Sequence, residues 1–375
     1  MLQDKNIAFY APIKPPDHHI PSGDRLIAQN IFKALEMSGA NVKLASRYIA
    51  YSKRHDETIL VQKKLGAEEE ANQLLKDYES LDTASRPQLW LTYHPYCKAP
   101  DWIGLTLSKA LNIPYVMIEA AKTGQGGLED LWKPWREEAQ ASIIQADRHL
   151  VFKPSDEKYL AELLGSTDKL LPFNPFIDAE NIALAQPMQT PDHWDKSTPV
   201  MITTGMMRKG KKLDNFQILA KALTYLEEDF NLIIVGGGPE ENAVREAFSK
   251  IDVKQVHWTG MVEQSDVLRW MRSSDIFIWP GWKEPIGMVY LEAQLQELPI
   301  LAYESMGVPL VVSDNKTGFL APEDDLQSLR SNTIKLLQDA NLRNTMGQNG
   351  RQKVLAEHGI KAASDRLVKV LGSLL

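Results

Sequence analysis

Short apolar runs alternate with segments whose apolar residues recur at helical spacing in the first half of the chain. Asp24–Ser38 carries such spacing up to Gly39, and Ile103–Leu111 is a second predicted helix. This β-α-β order is typical of a parallel sheet with helices on both faces. The predicted strands are Ile7–Ala11, Asn41–Ala45, Leu89–Thr92 and Tyr115–Ile118.

The same rhythm restarts after a proline- and aspartate-rich segment, Leu171–Ser197, which we interpret as a linker. The charged segment Lys53–Glu79 predicts a solvated helical hairpin. The expected fold is therefore α/β, with two Rossmann-like doubly wound domains that face a central cleft. The strands predicted in the second half are Pro199–Thr203, Asn231–Val235, Val256–Thr259, Ile276–Trp279 and Ile300–Ala302.

Composition limits the class of protein. The 375 residues are 43% hydrophobic and 24% charged, which is ordinary for a globular chain of two domains. The only cysteine, Cys97, cannot form an internal disulfide, which fits a reducing cytoplasm. A formal net charge of −7 argues against an extended nucleic-acid surface. The N-terminal apolar run is short and ends at prolines, so we expect neither a signal peptide nor a membrane span.

Two glutamates stand in the most informative segment, at positions 280–294. Glu284 and Glu292 flank Gly287, which precedes an amphipathic stretch. If that stretch is a helix, its first backbone N–H groups, at Met288 and Val289, form a site for phosphate or sugar hydroxyls. The two carboxylates can then hold vicinal hydroxyls of a ribose and of a sugar. The alternative is that both acids are ordinary surface residues of a loop and a helix.

The segment resembles the E-x7-E motif of family 4 retaining glycosyltransferases, which have the GT-B fold. Similar family segments surround it in the same order: LIIVGGGP at 232–239, the strand and loop up to Val262, the strand at 274–280, and GVP and TGFL at 307–309 and 317–320. The resemblance implies that Glu284 lies beside the donor sugar and Glu292 binds the ribose. It also implies that the loop at Val262 contacts the base. It divides the chain into residues 1–185 on the acceptor side and 190–358 on the nucleotide-sugar side, with the final helix, 360–375, packing back on the first domain.

A basic cluster follows the strand at 199–203. Family members usually carry an arginine directly after the glycine at 205, where this chain has Met206, and a lysine five residues further on. In this chain the arginine stands two residues later, at Arg208, and Lys212 follows it at a spacing of four. We assign the diphosphate to these two residues, with Lys211 as the competitor for the lysine role. The alternative is a solvated basic loop.

The three glycines that follow the next strand allow two interpretations. Gly236 can bring the backbone close to the donor, or the three residues can simply form a tight turn between strand and helix.

The first half supplies further candidates after its strands. Gly23, at a predicted helix start, can approach the donor phosphates, although Ser22 or Asp24 can simply cap that helix. The resemblance places His94 near the donor sugar and the acceptor; the alternative is a structural histidine. On the acceptor side the candidates are Asp24, Tyr93 and Glu119.

The resemblance implies transfer of a hexose-type sugar from a nucleoside-diphosphate sugar to a glycan, lipid or small-molecule acceptor, with retention and on one face of the sugar. We expect no cofactor. We expect no metal site, because no metal-binding motif of the D-x-D kind occurs between the two halves. We expect no nucleic-acid partner; a cytoplasmic location would allow peripheral contact with the inner face of a membrane. Two rival interpretations stay open: another GT-B enzyme, such as a sugar phosphorylase or epimerase, and a non-catalytic sugar-nucleotide-binding protein.

Overall fold

The computed structural model describes residues 1–20, 22–121 and 131–375. The chain divides into two compact units. Unit 1 comprises Met1–Asn174 together with Ile360–Leu375, and unit 2 comprises Pro175–Gly359.

Unit 1 contains a six-stranded parallel sheet in the order β2-β1-β3-β4-β5-β6. Its strands are β1 (Asn6–Tyr10), β2 (Asn41–Leu44), β3 (Leu89–Tyr93), β4 (Tyr115–Ile118), β5 (Arg148–Val151) and β6 (Leu170–Pro172). Its helices before residue 174 are α1 (Gly23–Met37), α2 (Glu57–Ser80), α3 (Trp102–Leu111), α4 (Lys133–Gln145) and α5 (Pro154–Leu164).

Unit 2 contains a second six-stranded parallel sheet, in the order β12-β11-β10-β7-β8-β9. Its strands are β7 (Val200–Thr204), β8 (Asn231–Val235), β9 (Val256–Gly260), β10 (Ile276–Ile278), β11 (Ile300–Glu304) and β12 (Gly318–Pro322). Its helices are α6 (Lys211–Leu223), α7 (Glu241–Ala247), α8 (Gln264–Arg272), α9 (Met288–Leu295), α10 (Val308–Val311), α11 (Leu326–Gln338) and α12 (Ala340–Glu357).

Burial of continuous apolar runs explains the central strands. Every residue of β4 and of β8 is buried, as expected for strands of a parallel sheet that is covered on both faces. Trp279 follows β10 and lies fully buried against Phe216 of α6 at 5.0 Å between ring centroids. The strands thus end in a close-packed layer, which holds the loops after them in fixed positions.

The last helix, α13 (Ile360–Leu371), belongs to unit 1, where it packs against α1. Its buried residues recur at helical spacing, with Leu367 and Leu371 fully buried and Lys369 exposed. The apolar stripe of α13 therefore completes the core around α1.

The predicted hairpin at Lys53–Glu79 was wrong, because α2 is one helix of 24 residues. Its buried residues Leu60, Ala67 and Ala71 continue one stripe through the middle of the segment. Gly66 does not break the helix. A Cβ there would stand 2.8 Å from the Tyr48 hydroxyl, so the glycine makes room for the tyrosine.

The predicted linker begins too early. Leu171 and Pro172 belong to β6, the edge strand beside β5, and an edge strand tolerates proline. Further along, Trp194 is buried in the core of unit 2. Strands β5, β6 and β12 were not predicted.

No helix within residues 1–20, 22–121 and 131–375 has both the length and the apolar character needed to cross a membrane.

Leu367→Ala should lower the free energy of unfolding of unit 1 by about 2–5 kcal/mol, because it leaves a cavity between α13 and α1. Urea unfolding measures the change. Lys369→Ala, on the exposed face of the same helix, is the control and should stay within about 0.5 kcal/mol of the parent. Equal stability of the two variants would contradict the packing of α13.

Candidate functional site

The loop between β10 and α9 brings Glu284 next to Gly287. The Glu284 N–H donates to the Gly281 carbonyl at 3.0 Å, which closes a turn. Gly287 is the N-cap of α9 with φ +76°, and a Cβ there would stand 2.4 Å from the Tyr290 ring and 3.6 Å from Glu284 Cγ. Only glycine fits this position, and α9 therefore begins beside the Glu284 side chain. No described side chain caps α9.

Glu292 lies in the second turn of α9 and is half-buried. Its Oε1 accepts a hydrogen bond from Gln264 Nε2 at 2.9 Å. Burial raises the pKa of Glu292 to about 7, although the hydrogen bond from Gln264 opposes that rise. A carboxyl group with this pKa is part carboxylate and part acid at neutral pH.

The charged side chains on the helices packed against α9 are engaged elsewhere. On α8, Asp266 pairs with Arg269 at 3.1 Å, and Arg272 pairs with Glu297 at 3.2 Å. On α12, Arg351 donates to the Leu295 carbonyl. None of these contacts supplies a cation to the Glu292 carboxylate.

Lys212, in the first turn of α6, contacts the loop between β10 and α9. Its Nζ lies 3.0 Å from Glu284 Oε2 and 5.1 Å from the centroid of the buried Trp279 ring. Lys211 Nζ lies 3.4 Å from the Lys283 carbonyl oxygen. The structure thus brings together two residues that are 72 positions apart in sequence and that we had assigned to sugar and phosphate.

A buried amide joins α6 to the same loop. Asn215 Nδ2 donates to the Lys211 carbonyl at 2.7 Å and to the Trp282 carbonyl at 3.1 Å, while its Oδ1 accepts from the Trp282 N–H at 2.7 Å. Asn215 is 1% exposed. Sequence reasoning missed this residue, because an asparagine inside a predicted helix looks like an ordinary surface residue.

The basic loop after β7 is largely exposed. Met207 is fully buried, whereas Met206 and Arg208 point to the surface. No described residue forms a hydrogen bond or ion pair with the Arg208 side chain. The guanidinium is therefore available to an anion.

Gly236 and Gly238 have φ of +130° and +150°, and each lets the loop after β7 pass close by. A Cβ at Gly236 would stand 2.1 Å from the Gly205 oxygen, and one at Gly238 would stand 2.4 Å from the Met207 oxygen. The glycines are needed for this close passage of two loops, whether or not a donor binds there. The half-buried Val262 packs on the edge of the core two residues after β9, and Met288 and Val289 do so at the start of α9.

Unit 1 brings its own pair of predicted residues together. Asp24 in the first turn of α1 and His94 just after β3 are joined by a 3.1 Å contact between Oδ1 and Nδ1. Tyr96 stacks on the imidazole at 5.4 Å between ring centroids. Since Ser22 caps α1 by accepting from the Arg25 N–H, Asp24 is left for the histidine.

The charges around His94 favour its protonated form. Burial lowers the pKa of His94, but the charges of Glu119 and Asp24 and the hydrogen bond to Asp24 outweigh it, so the pKa rises above its ordinary value despite opposition from Lys153. The hydrogen bond from His94 lowers the pKa of Asp24, against the effect of burial. Each shift favours the charged form of its group.

Glu119 follows β4 with φ +57° and is buried. Its Oε1 lies 3.1 Å from Lys153 Nζ, which also pairs with Asp156 at 3.0 Å. Sequence reasoning missed Lys153 because no strand was predicted before it. In the part of the chain that the structure describes, no three His, Cys, Asp or Glu side chains are grouped to hold a metal ion.

Two further candidates differ in access. Gly23 is exposed, and a Cβ there would meet no atom within 4 Å. Tyr93 is 2% exposed and its ring lies 5.5 Å from that of His94, so it supports the histidine from inside the unit.

Residues 189–353 match the family Glycosyl transferases group 1. The GDP-mannose-dependent monoacylated alpha-(1-6)-phosphatidylinositol monomannoside mannosyltransferase of Corynebacterium glutamicum is 30% identical over 184 residues, which cover 47% of this chain and 48% of that protein. N-acetyl-alpha-D-glucosaminyl L-malate synthase of Bacillus anthracis is 30% identical over 161 residues, 42% of this chain and 41% of that protein. The chain spans about half the length of these curated relatives.

Solved structures resemble the whole chain. Sucrose-phosphate synthase of Thermosynechococcus elongatus is 18% identical, with 99% of both chains covered and a TM-score of 0.71. Anabaena HepE in complex with UDP is 17% identical, with 99% of this chain and 100% of that chain covered and a TM-score of 0.69. The chain has the two-domain Rossmann-like GT-B fold, so the fold class predicted from the sequence is confirmed.

Asp24→Asn should lower the pKa of His94, because it removes one of the two carboxylates that raise it. An NMR titration of the imidazole carbon resonances measures the pKa. Asp17→Asn is the matched control: Asp17 pairs with Arg47 at 2.7 Å and is not among the charges that act on His94. An unchanged His94 titration in Asp24→Asn would contradict the pairing.

Proposed function

We propose that this chain, whose residues 189–353 match the family Glycosyl transferases group 1, transfers a sugar from a nucleoside-diphosphate sugar to an acceptor hydroxyl. One observation carries the proposal. At the carboxyl edge of the unit 2 sheet, Glu284, Lys212 and the uncapped N-terminus of α9 converge. Ligands of open α/β sheets bind at this edge.

The diphosphate is assigned to the positive groups of this edge. The N–H groups of Met288 and Val289 and the positive end of the α9 dipole attract anions. Arg208 can clamp a phosphate bidentately, and Lys212 adds a point charge, with Lys211 as the competitor. In the free protein Lys212 pairs with Glu284, so a bound diphosphate competes with that carboxylate for the ammonium.

The two glutamates divide the rest of the donor between them. We assign the ribose hydroxyls to Glu292 and the transferred sugar to Glu284. Gly236 lies where the loop after β7 and the strand β8 approach each other, and Val262 follows β9; we assign these two positions to the phosphate and base ends of the nucleotide.

We infer a retaining transfer on one face of the sugar. The bond between the anomeric carbon and the diphosphate oxygen breaks, and the acceptor oxygen bonds to the same face of that carbon. The departing diphosphate takes the acceptor proton. Arg208 and Lys212 stabilise the charge that develops on the leaving group, a role that does not require a metal.

The acceptor is assigned to unit 1. A hydroxyl of a glycan, lipid or small molecule would bind near the Asp24–His94 pair, where Tyr96 offers an aromatic face. Gly23 leaves open space at the start of α1, where backbone N–H groups can bind an anion. Glu119 is buried behind Lys153, so we assign it to the support of this group.

Turnover of a panel of nucleoside-diphosphate sugars tests the function. We expect release of the nucleoside diphosphate from one donor, and the release should persist with a chelator present. Sugar 1-phosphate formation with inorganic phosphate would identify a phosphorylase instead, and interconversion of sugar epimers would identify an epimerase. Binding without any turnover would identify a non-catalytic protein.

Three substitutions separate the roles of the donor residues. Glu292→Gln should weaken binding of the free diphosphate roughly tenfold to a hundredfold, because it removes a charged acceptor from the ribose. Glu284→Gln should abolish transfer yet bind the free diphosphate at least as tightly as the parent, because it releases Lys212. Arg208→Ala should weaken both.

Calorimetric titration beside turnover of the donor measures these effects. Lys209→Ala is the matched control for Arg208→Ala, since it removes one charge from the same exposed loop without a proposed role. If Glu284→Gln lost diphosphate affinity while Glu292→Gln kept it, the two assignments would be reversed.

Diphosphate binding should depend on the ionisation of Glu292. The ribose needs the carboxylate form of Glu292. In the protein without nucleotide, burial raises the pKa of Glu292 to about 7. Binding should therefore weaken as the pH falls through that value, by about tenfold between pH 8 and pH 6.

Glu292→Gln is the control for this pH dependence, because it keeps the titration of the phosphates and removes that of the carboxyl group. The same pH profile in both proteins would exclude Glu292 from the ribose.

A further inference from the structure

The Glu292 carboxylate is held by one neighbour, the side chain of Gln264. Gln264 is the first residue of α8, and its Nε2 donates to Glu292 Oε1 at 2.9 Å. No other described residue forms a hydrogen bond with this carboxylate. One carboxylate oxygen is thus engaged, and the other, Oε2, is left to a ligand.

We propose that Gln264 is a positioning residue for the nucleotide ribose, which holds Glu292 Oε1 so that Oε2 faces the ribose hydroxyls. This inference rests on the proposed function, because it assigns the ribose to Glu292. It adds a residue outside the two-glutamate motif, 28 positions before Glu292 in the sequence.

The chemistry of an amide suits this task. A carboxylate has about four acceptor positions, so one hydrogen bond from Gln264 leaves room for two ribose hydroxyls. The amide is uncharged and cannot neutralise the carboxylate as a lysine would. It favours the charged form that the hydroxyls need, as the direction of its effect on the pKa of Glu292 shows.

Geometry supports the same role. Glu292 is half-buried on a short helix, and Gln264 opens a neighbouring helix that packs against it. A glutamate with one oxygen already fixed has fewer conformations to lose when the ribose binds. Gln264 itself is exposed, so a merely structural bridge between α8 and α9 would contribute little to stability.

A ligand comparison distinguishes positioning from structure. The affinities of UDP, GDP and their 2′,3′-dideoxy counterparts are measured for the full chain and for Gln264→Leu, which keeps the bulk and removes the donor. For the ribonucleotide that binds, Gln264→Leu should weaken affinity roughly threefold to tenfold. For the dideoxy nucleotide, which lacks the hydroxyls, the two proteins should bind equally.

Three further variants complete the test. Glu292→Gln should remove most of the preference for ribose, and adding Gln264→Leu to it should cause no additional loss. Gln327→Leu is the matched control: Gln327 is an exposed glutamine in the first turn of α11, in the same unit, and should bind both nucleotides as the parent does.

Each remaining outcome overturns a specific claim. An equal loss for ribo- and dideoxynucleotide, or no loss for either, would contradict the positioning role and leave the proposed function intact. A parent protein that binds ribo- and dideoxynucleotides equally would remove the ribose from Glu292, and the role of Gln264 with it. A parent that binds neither UDP nor GDP would contradict the proposed function itself.

Discussion

The buried amide of Asn215 fixes the distance between the two elements on which the candidate donor site depends. Its three hydrogen bonds connect the first turn of α6 to the loop that carries Glu284. Because the amide is almost inaccessible to water, each bond that it lost would leave a buried polar group unsatisfied. The backbones that carry Lys212 and Glu284 are therefore held at a distance that lets the two side chains form their 3.0 Å ion pair.

Glycines impose a second constraint on the same edge. The loop after β7 passes within contact distance of Gly236 and Gly238, and α9 begins at a glycine that leaves no room for a Cβ. Unit 2 thus places the charged side chains of its candidate site on closely packed backbone. In unit 1 the candidate group consists of two pairs of acidic and basic side chains, Asp24 with His94 and Glu119 with Lys153.

Strands could be predicted from the sequence where the buried residues are also apolar. Tyr115–Ile118 and Asn231–Val235 were predicted with the bounds that the structure shows, because both are buried throughout and, apart from Asn231, contain only apolar or aromatic residues. Strand β5 was not predicted because it contains Arg148 and His149, and only the structure shows that His149 is buried, with burial lowering its pKa to about 4.

Some residues of the candidate site could likewise be predicted from the sequence, and others could not. The Glu284–Glu292 spacing, Gly287 and the basic loop could be located from local sequence, since they lie directly after predicted strands. The partners Gln264, Asn215 and Lys153 could not, because their roles come from contacts between segments that are distant in the chain. Their own neighbours in sequence carry no sign of those contacts.

A crystal structure of the chain with a bound nucleoside diphosphate tests the central claim most directly. The account predicts ribose hydroxyls on Glu292 Oε2, phosphate oxygens at the N–H groups that begin α9, and Lys212 moved from Glu284 towards the phosphate. A nucleotide bound at another edge of unit 2, with the Lys212–Glu284 pair and Glu292 untouched, would contradict it.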